Sequence, residues 1–298
     1  MAMEPPELGA LLLVALAILY SSGLPFLLAD RPQLRRTPKA MLWLWQCLAV
    51  AGVVSALGSG ALVMRSWLHP DSSVTEVFAS ILAGALAATV LIRLLLTGHK
   101  VGRNLRVTRA RHRELVDILG QGLGPTQAAD SDLRLIEFAL PIAYCLPSWR
   151  GARIVVASQA VERLDSTQLG AVLAHERAHL AGRHDLLVEA FIVLQRAFPQ
   201  AIAGRLAHEE VEILIELLAD RVASSTVAVA DLLTALESMA ELDPTRPEGA
   251  PKSGSIAARR QMLKDPPQPR PAQSLAILLC AACVAAAPVS IIIWALSH

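Results

Sequence analysis

Residues 166–181 read STQLGAVLAHERAHLA, and this stretch decides the fold of the region around it. Asp165 precedes it and Gln168 follows three residues later, which is the spacing of a capping box at the start of a helix. Gly182 supplies a common end for a helix. The sequence therefore predicts that the whole stretch forms one helix.

This predicted helix contains the sequence His175-Glu176-Arg177-Ala178-His179, which has the H-E-x-x-H pattern. Two histidines four residues apart project from one face of a helix, so both imidazole rings can bind the same zinc ion. The glutamate between them is placed to take a proton from an attacking water molecule. The pattern also arises by chance, and a third ligand is needed to complete a site.

The third ligand should come from another helix, because a catalytic zinc usually has three protein ligands. A helix predicted from Arg205 to Val222 is rich in acidic residues: Glu209, Glu212, Glu216 and Asp220. The last three lie close to one face at helical spacing. Glu212 and Glu216 are both candidates on this ground, and Asp220 could instead form an exposed ion pair with Arg221.

The segment Glu216-Leu217-Leu218-Ala219-Asp220 resembles the E-x-x-A-D sequence on the second zinc helix of the gluzincin membrane proteases. The resemblance implies that His175, His179 and Glu216 bind zinc. It also implies that Glu176 is the general base and that Asp220 supports a ligand histidine.

Three further segments extend the resemblance to the BlaR/MecR type of membrane metalloprotease. They are Ala143 to Pro147, Arg153 to Val156 and Val172 to His179. Those proteins place such a domain between a third and a fourth membrane helix. The β-lactam-sensing relatives carry an extracellular penicillin-binding domain after the last span, whereas this sequence stops at His298. We therefore expect no antibiotic sensing by that route.

Two short β-prone runs precede the H-E-x-x-H helix, at Ile142–Leu146 and Ala152–Ala157. A turn-forming segment from Pro147 to Gly151 separates them, so the sequence predicts a β-hairpin. The BlaR/MecR resemblance implies that Ile154 to Ala157 is the edge strand that pairs with an extended substrate peptide.

The composition is that of a membrane protein, with 54% hydrophobic and only 18% charged residues. Four stretches are long and apolar enough to cross a bilayer as helices, at about 8–29, 41–64, 77–96 and 274–296. We expect a mainly α integral membrane protein with a cytoplasmic α+β gluzincin-type zinc protease domain at 97–273, inserted between the third and fourth helices. Residues 243–273 are expected to be a Pro-rich linker to the membrane, with one helical turn around Ile256 to Leu263.

Lysine and arginine are unevenly distributed between the loops, and the positive-inside rule converts this into an orientation. The loop between the second and third spans has only Arg65. Four basic residues lie in the first loop and six follow the third span: Arg31, Arg35, Arg36, Lys39, Lys100, Arg103, Arg106, Arg109, Arg111 and Arg113. We therefore expect a multi-pass protein of the cell membrane with a cytoplasmic catalytic domain and both termini outside.

Charge and cysteine content exclude two other classes of protein. The formal net charge is +1, from 27 Lys and Arg against 26 Asp and Glu, far from the basic surplus of a nucleic-acid binder. The 4 cysteines are too few for a secreted disulfide framework, and we expect them to be reduced. Cys280 and Cys283 have redox spacing, but inside an apolar span the sequence favours close helix packing.

Several residues near the motif have two possible roles. The resembling proteins often have an aspartate shortly after the second histidine, and Asp185 could fill that place one residue late or cap the next helix. His208 could stabilise an oxyanion or lie on the surface. The segment from Leu186 to Ala203 is apolar enough for a fifth span, although Glu189 and Arg196 favour a core or membrane-skimming helix.

The sequence thus predicts a membrane-embedded zinc endopeptidase that cleaves peptide bonds at the cytoplasmic face. Its expected role is signalling by cleavage of a cytosolic transcriptional repressor or of itself. The expected partners are a protein or peptide substrate and the lipid bilayer, without direct nucleic-acid binding, and the oligomeric state stays open. The alternatives are an HtpX-type quality-control protease and a non-enzymatic membrane receptor or scaffold that retains the zinc site. Glu176 counts against a scaffold, which has no need of a base.

Overall fold

The computed structural model of the chain describes residues 4–29, 31–67, 73–120, 132–148, 151–199, 202–240, 253–266 and 270–298. The chain divides into two compact units. The first, which we call the membrane unit, comprises residues 1–100, 190–211 and 269–298. The second, which we call the site unit, comprises residues 101–189 and 212–268.

Four helical segments among the described residues are long and apolar enough to cross a membrane, with mean hydropathy between 2.1 and 2.6. The predicted spans fall within them, and they support a multi-pass membrane protein. The first consists of α1 (Pro5–Ile18), a π-helical turn (Leu19–Gly23) and α2 (Leu24–Leu28), and after the short α3 (Pro32–Arg35) the others are α4 (Pro38–Trp67), α5 (Val74–Leu119) and α12 (Pro271–Ser297).

The membrane unit is held together by close contacts between α1, α4 and α12. Ala10, Leu13, Leu62 and Ala295 form a buried cluster among these three helices. Gly9 is required for this approach, since a Cβ on it would lie 2.7 Å from the Cβ of Ala295. Small residues at such crossings let membrane helices pack by backbone proximity.

The site unit contains a three-stranded mixed sheet of β1 (Leu133–Ile136), β2 (Ala143–Leu146) and β3 (Arg153–Ala157). The antiparallel pairing of β2 with β3 confirms the predicted hairpin. The sequence analysis did not predict β1, which pairs parallel to β3. The strand order is β1-β3-β2, so β3 is the central strand, and the expectation that Ile154–Ala157 forms the free edge is wrong.

The H-E-x-x-H helix is α7 (Ser166–Ala181), and its predicted bounds are confirmed. The side chain of Asp165 accepts hydrogen bonds from the backbone N–H groups of Thr167 and Gln168, and Gln168 completes the capping box. The other helices after the sheet are α6 (Ser158–Arg163), α8 (His184–Ala197), α9 (Ile202–Ala223), α10 (Val229–Ala240) and α11 (Ser253–Lys264).

One of these helices agrees with the favoured sequence expectation and another differs from it. α8 has 14 residues, too few for a fifth span, which requires about 20. α11 is a 12-residue helix in the region expected to be a linker with a single helical turn. Residues 243–252 and 267–269 of that expected linker lie outside the described residues.

α7 is buried on two sides within the site unit. Leu173 packs into a cluster that includes Leu133 and Val156 of the sheet. Ala171 packs into a second cluster with Ala223 at the end of α9, with α10 and with Leu263 of α11. The motif helix is therefore fixed between the sheet and the later helices, which places its polar residues against α9 and α11.

Candidate metal centre

Three side chains from two helices converge in the site unit, namely His175 and His179 of α7 and Glu216 of α9. One potential ligand atom of each lies within 4.8 Å of the others. The Nε2 atoms of the two histidines are 3.0 Å apart. Glu216 Oε2 is 3.5 Å from Nε2 of His175, and Oε1 is 3.4 Å from Nε2 of His179. Two imidazole nitrogens and one carboxylate thus face a common point.

The other ring nitrogen of each histidine contacts a further side chain. Nδ1 of His175 lies 2.8 Å from Oδ1 of Asp220, which is only 3% exposed. Nδ1 of His179 lies 3.1 Å from Nδ1 of His184, which is 4% exposed. With Nδ1 engaged on both rings, Nε2 is the nitrogen that each presents to the common point.

Arg259 of α11 neutralises the carboxylates of this cluster. Its guanidinium donates to both oxygens of Asp220, at 2.7 and 2.8 Å, and to Oε2 of Glu216 at 2.9 Å. The buried carboxylate of Asp220 and the partly buried one of Glu216 both contact this guanidinium, and two carboxylates so close together repel one another unless a cation compensates them. Arg259 therefore allows Glu216 and Asp220 to remain ionised side by side.

The pKa values of His175, His179 and Glu216 are shifted in different directions by their surroundings. Burial opposes charge on His175, but hydrogen bonds with Asp220 and Glu216 outweigh it and raise the pKa to about 9. Burial and the neighbouring positive charge of His175 lower the pKa of His179 to about 4. Burial acts to raise the pKa of Glu216, but its hydrogen bond with His175 and the charge of Arg259 lower it to about 2.

Glu176 is partly buried and lies beside β2 of the sheet. Burial raises the pKa of its carboxyl group, with a further contribution from the negative charge of Glu216. The thiol of Cys145 on β2 forms a hydrogen bond with this carboxylate, and burial and the charge of Glu176 raise the pKa of the thiol to about 12. A carboxylate with a raised pKa next to a metal cluster is suited to accept and return a proton.

The structure brings together the site residues that the sequence analysis named, and it separates them from the alternatives. Glu212 is exposed on α9 and is not a member of the cluster. Asp220 is buried and bonded to Arg259, so an exposed ion pair with Arg221 is wrong. His208 belongs to the membrane unit and is likewise outside the cluster.

Asp185 does neither of the two things considered for it. α8 begins at His184, so Asp185 lies inside the first turn and is not the helix cap. Its carboxylate forms ion pairs with Arg109 at 3.4 Å and with Arg183 at 3.6 Å. The residue that contacts the second histidine of the motif is its neighbour, His184.

Sequence reasoning missed three residues of the site: Arg259, His184 and Cys145. Arg259 is distant in sequence and lies in a segment that looked like a linker, so no local signal identified it. His184 was noticed only beside Asp185. Cys145 lies on β2, within a segment noted for its family resemblance, and no pattern in the sequence marked it as a contact of Glu176.

The donor set fits a zinc ion. Two neutral imidazole nitrogens and one carboxylate oxygen form one of the usual three-ligand sets of catalytic zinc, which leave a fourth position open for water or substrate. The engaged Nδ1 atoms fix the ring orientations that such coordination requires. Fold and site together are those of a multi-pass membrane protein with a possible three-ligand metal site.

The comparison with protein families agrees with this class. Residues 131–242 match the profile of peptidase family M48, a span that contains the sheet, α7 and α9. A domain of this family implies a metallopeptidase, and zinc is the usual metal of such enzymes. Comparisons with curated proteins and with solved structures give no significant match.

Proposed function

We propose that this protein is a membrane-embedded zinc endopeptidase that cleaves peptide bonds at the cytoplasmic face of the membrane. The observation that carries the proposal is the convergence of His175, His179 and Glu216 within 4.8 Å of one another, next to a partly buried glutamate, Glu176, that is not a member of the cluster. A metal cluster without a base would suffice for a structural site. The additional carboxylate at Glu176 favours turnover.

Bound zinc would polarise the scissile carbonyl and make the attacking water more acidic. Glu176 would take the proton from that water and then pass it to the leaving amine. The raised pKa of Glu176 suits both steps, because the carboxylate must hold the proton between them. Arg259 would keep Glu216 and Asp220 ionised and in place throughout the reaction.

The substrate backbone is expected to lie along β2. This strand is at the outside of the sheet, and it carries Cys145, which contacts Glu176. A peptide added as a further strand would therefore pass the base and the metal cluster. The substrate-pairing edge strand that was expected at β3 is therefore proposed to be β2.

The proposed biological role is signalling by cleavage of a cytosolic repressor or of the protein itself. The basic loops on one side of the predicted spans and the BlaR/MecR-like segments around Ala143 and Arg153 support this role. An HtpX-type quality-control protease shares the same chemistry. The two differ in substrate range: a signalling enzyme cleaves one or few sites, whereas a quality-control enzyme degrades many unfolded membrane proteins.

The test of the mechanism is the variant Glu176→Gln in the full-length protein. It should keep its zinc and its fold, because Glu176 is not a ligand. It should lose peptide hydrolysis by at least about a hundredfold, which is the usual cost of removing a positioned base. Zinc content by elemental analysis and cleavage of a peptide library are the two measurements.

Glu212→Gln is the matched control, since Glu212 is an exposed glutamate four residues from Glu216 on the same helix. It should retain both zinc and activity. Cleavage at near wild-type rate by Glu176→Gln would contradict the proposed mechanism. An inactive but zinc-loaded wild type would favour a receptor or scaffold.

A further inference from the structure

The turn that precedes His184 positions its side chain next to His179. α7 ends at Ala181, and α8 begins only three residues later at His184. Arg183 in this turn has a φ of 48°, a left-handed conformation that is uncommon for a residue with a side chain. A Cβ on Gly182 would overlap the imidazole ring of His184, so only glycine leaves room for the ring.

The result of this turn is a defined contact between two imidazoles. The rings of His184 and His179 stand edge to face, with centroids 5.0 Å apart and an interplanar angle of 87°. Their Nδ1 atoms lie at hydrogen-bond distance, 3.1 Å. His184 is also almost completely buried, at 4% exposure.

Zinc chemistry determines which ring donates in this hydrogen bond. A histidine that binds a metal through Nε2 keeps its proton on Nδ1. Nδ1–H of His179 must then donate, and Nδ1 of His184 must accept. The proton of a neutral His184 would consequently be on its Nε2.

We infer that His184 is the positioning residue of His179, accepting the Nδ1–H of this ligand through its own Nδ1 and so directing Nε2 of His179 at the metal. The inference rests on the proposed function, because it concerns the same zinc site. Under this inference, the Nδ1–H groups of the two ligand histidines donate to two different kinds of acceptor. His175 is held by the charged carboxylate of Asp220, and His179 is held by a neutral ring.

The first test is the zinc affinity of full-length variants in detergent, measured by competition with a chelator. His184→Leu keeps an apolar side chain of similar bulk but removes the acceptor, and zinc affinity should fall about 10- to 100-fold. His184→Asn places an oxygen where Nδ1 stands and should recover most of the affinity. A residue that only fills space would give the opposite order, with leucine tolerated better than asparagine.

Two neighbouring substitutions complete the test. Gly182→Ala keeps the histidine at position 184, but the new Cβ should displace its ring from His179. This variant should therefore bind zinc more weakly, although no polar group is lost. Asp185→Asn is the matched control one residue along, because Asp185 pairs with Arg109 and Arg183 instead. It should leave zinc affinity unchanged, and far-UV circular dichroism should show that all four variants are folded.

The proton positions give a second readout that is independent of activity. In the zinc-loaded protein labelled with 15N-histidine, the Nδ1 signal of His179 should be that of a protonated nitrogen, and that of His184 an unprotonated one. A protonated Nδ1 on His184 would overturn the inference. So would unchanged zinc affinity in folded His184→Leu. A wild type that binds no zinc would instead overturn the proposed function and this inference together.

Discussion

Charge is distributed unequally around the two ligand histidines, and this has consequences for how zinc enters. Nδ1 of His175 contacts the charged groups of Asp220 and Arg259, whereas Nδ1 of His179 contacts the imidazole of His184, and Glu216 lies near Nε2 of both rings. Burial opposes charge on both rings, but hydrogen bonds with Asp220 and Glu216 raise the pKa of His175, while burial and the charge of His175 lower the pKa of His179. In the metal-free site, one histidine holds a proton at neutral pH and the other does not.

Zinc binding should therefore release about one proton at pH 7.5. His175, with a pKa of about 9, is protonated without the metal and must become neutral to bind it. His179 and Glu216, with pKa values of about 4 and about 2, have no proton to lose. Calorimetric titrations in two buffers of different ionisation enthalpy measure the released proton.

The sign of the pH dependence follows directly. Protons compete with zinc for His175 below its pKa, so zinc affinity should rise with pH and level off as the pH passes about 9. Asp220→Asn removes the carboxylate that raises this pKa, and it should reduce the proton release at pH 7.5. Equal binding enthalpies in the two buffers for the wild type would show that His175 is neutral before zinc binds.

At the residue level, the sequence carries signals for residues that share one helix or one motif, and none for residues that meet only through tertiary packing. Helical spacing alone placed His175, Glu176 and His179, and the E-x-x-A-D resemblance distinguished Glu216 from Glu212. Arg259 could not be found in the same way, because it reaches the carboxylates from a helix 39 residues beyond Asp220 in sequence. No spacing rule connects residues that meet only through tertiary packing.

At the scale of helices and strands, the predictions that rest on signals close together in the sequence were confirmed. α7 was predicted to the residue because its capping box and terminal glycine are local signals. The position of β3 depends on its parallel partner β1, about twenty residues earlier, and short-range patterns do not report that pairing. The hairpin of β2 and β3 was predictable and the centre of the sheet was not.

The outer edge of β2 makes a testable prediction about substrate binding. Ala157 donates its N–H to the carbonyl of Ile142, and hydrogen bonding alternates along an antiparallel pair, so the backbone of Ala143 should point outward. Ala143→Pro removes that outward N–H, and kcat/KM for peptide cleavage should fall about tenfold or more through a weaker backbone pairing.

Zinc content separates loss of substrate pairing from loss of the site. Ala143→Pro should keep its zinc, because the substitution is at a sheet edge, where proline is tolerated. Ala143→Ser changes the side chain but keeps the N–H, and it should cleave at close to the wild-type rate. If serine impaired cleavage as much as proline, side-chain packing and not the backbone edge would be responsible.

At the scale of the whole molecule, the central prediction is the side of the membrane on which the site lies. Ten basic residues in the first loop and after the third span oppose the single Arg65 in the loop between the second and third spans. Starting from a variant without the four natural cysteines, a membrane-impermeant thiol reagent should label Ser72→Cys in intact cells and should not label Ser253→Cys. Cell lysis should expose Ser253→Cys to the reagent.

Labelling of Ser253→Cys but not Ser72→Cys in sealed cells would reverse the orientation and move the substrate to the extracytoplasmic side. Labelling of both would require a further crossing between the two positions. The 14-residue length of α8 argues against such a crossing at Leu186–Ala203.

The packing of α12 against α1 and α4 has a consequence for biogenesis. α1 and α4 are synthesised early, and α12 is synthesised only after every residue of the metal cluster. Gly9 of α1 nevertheless packs directly against Ala295 of α12. Domains tend to fold as they emerge from the ribosome, so the site unit can begin to fold before α12 joins α1 and α4. Completion of the bundle is then a late step in synthesis, because α12 leaves the ribosome only after all residues of the metal cluster.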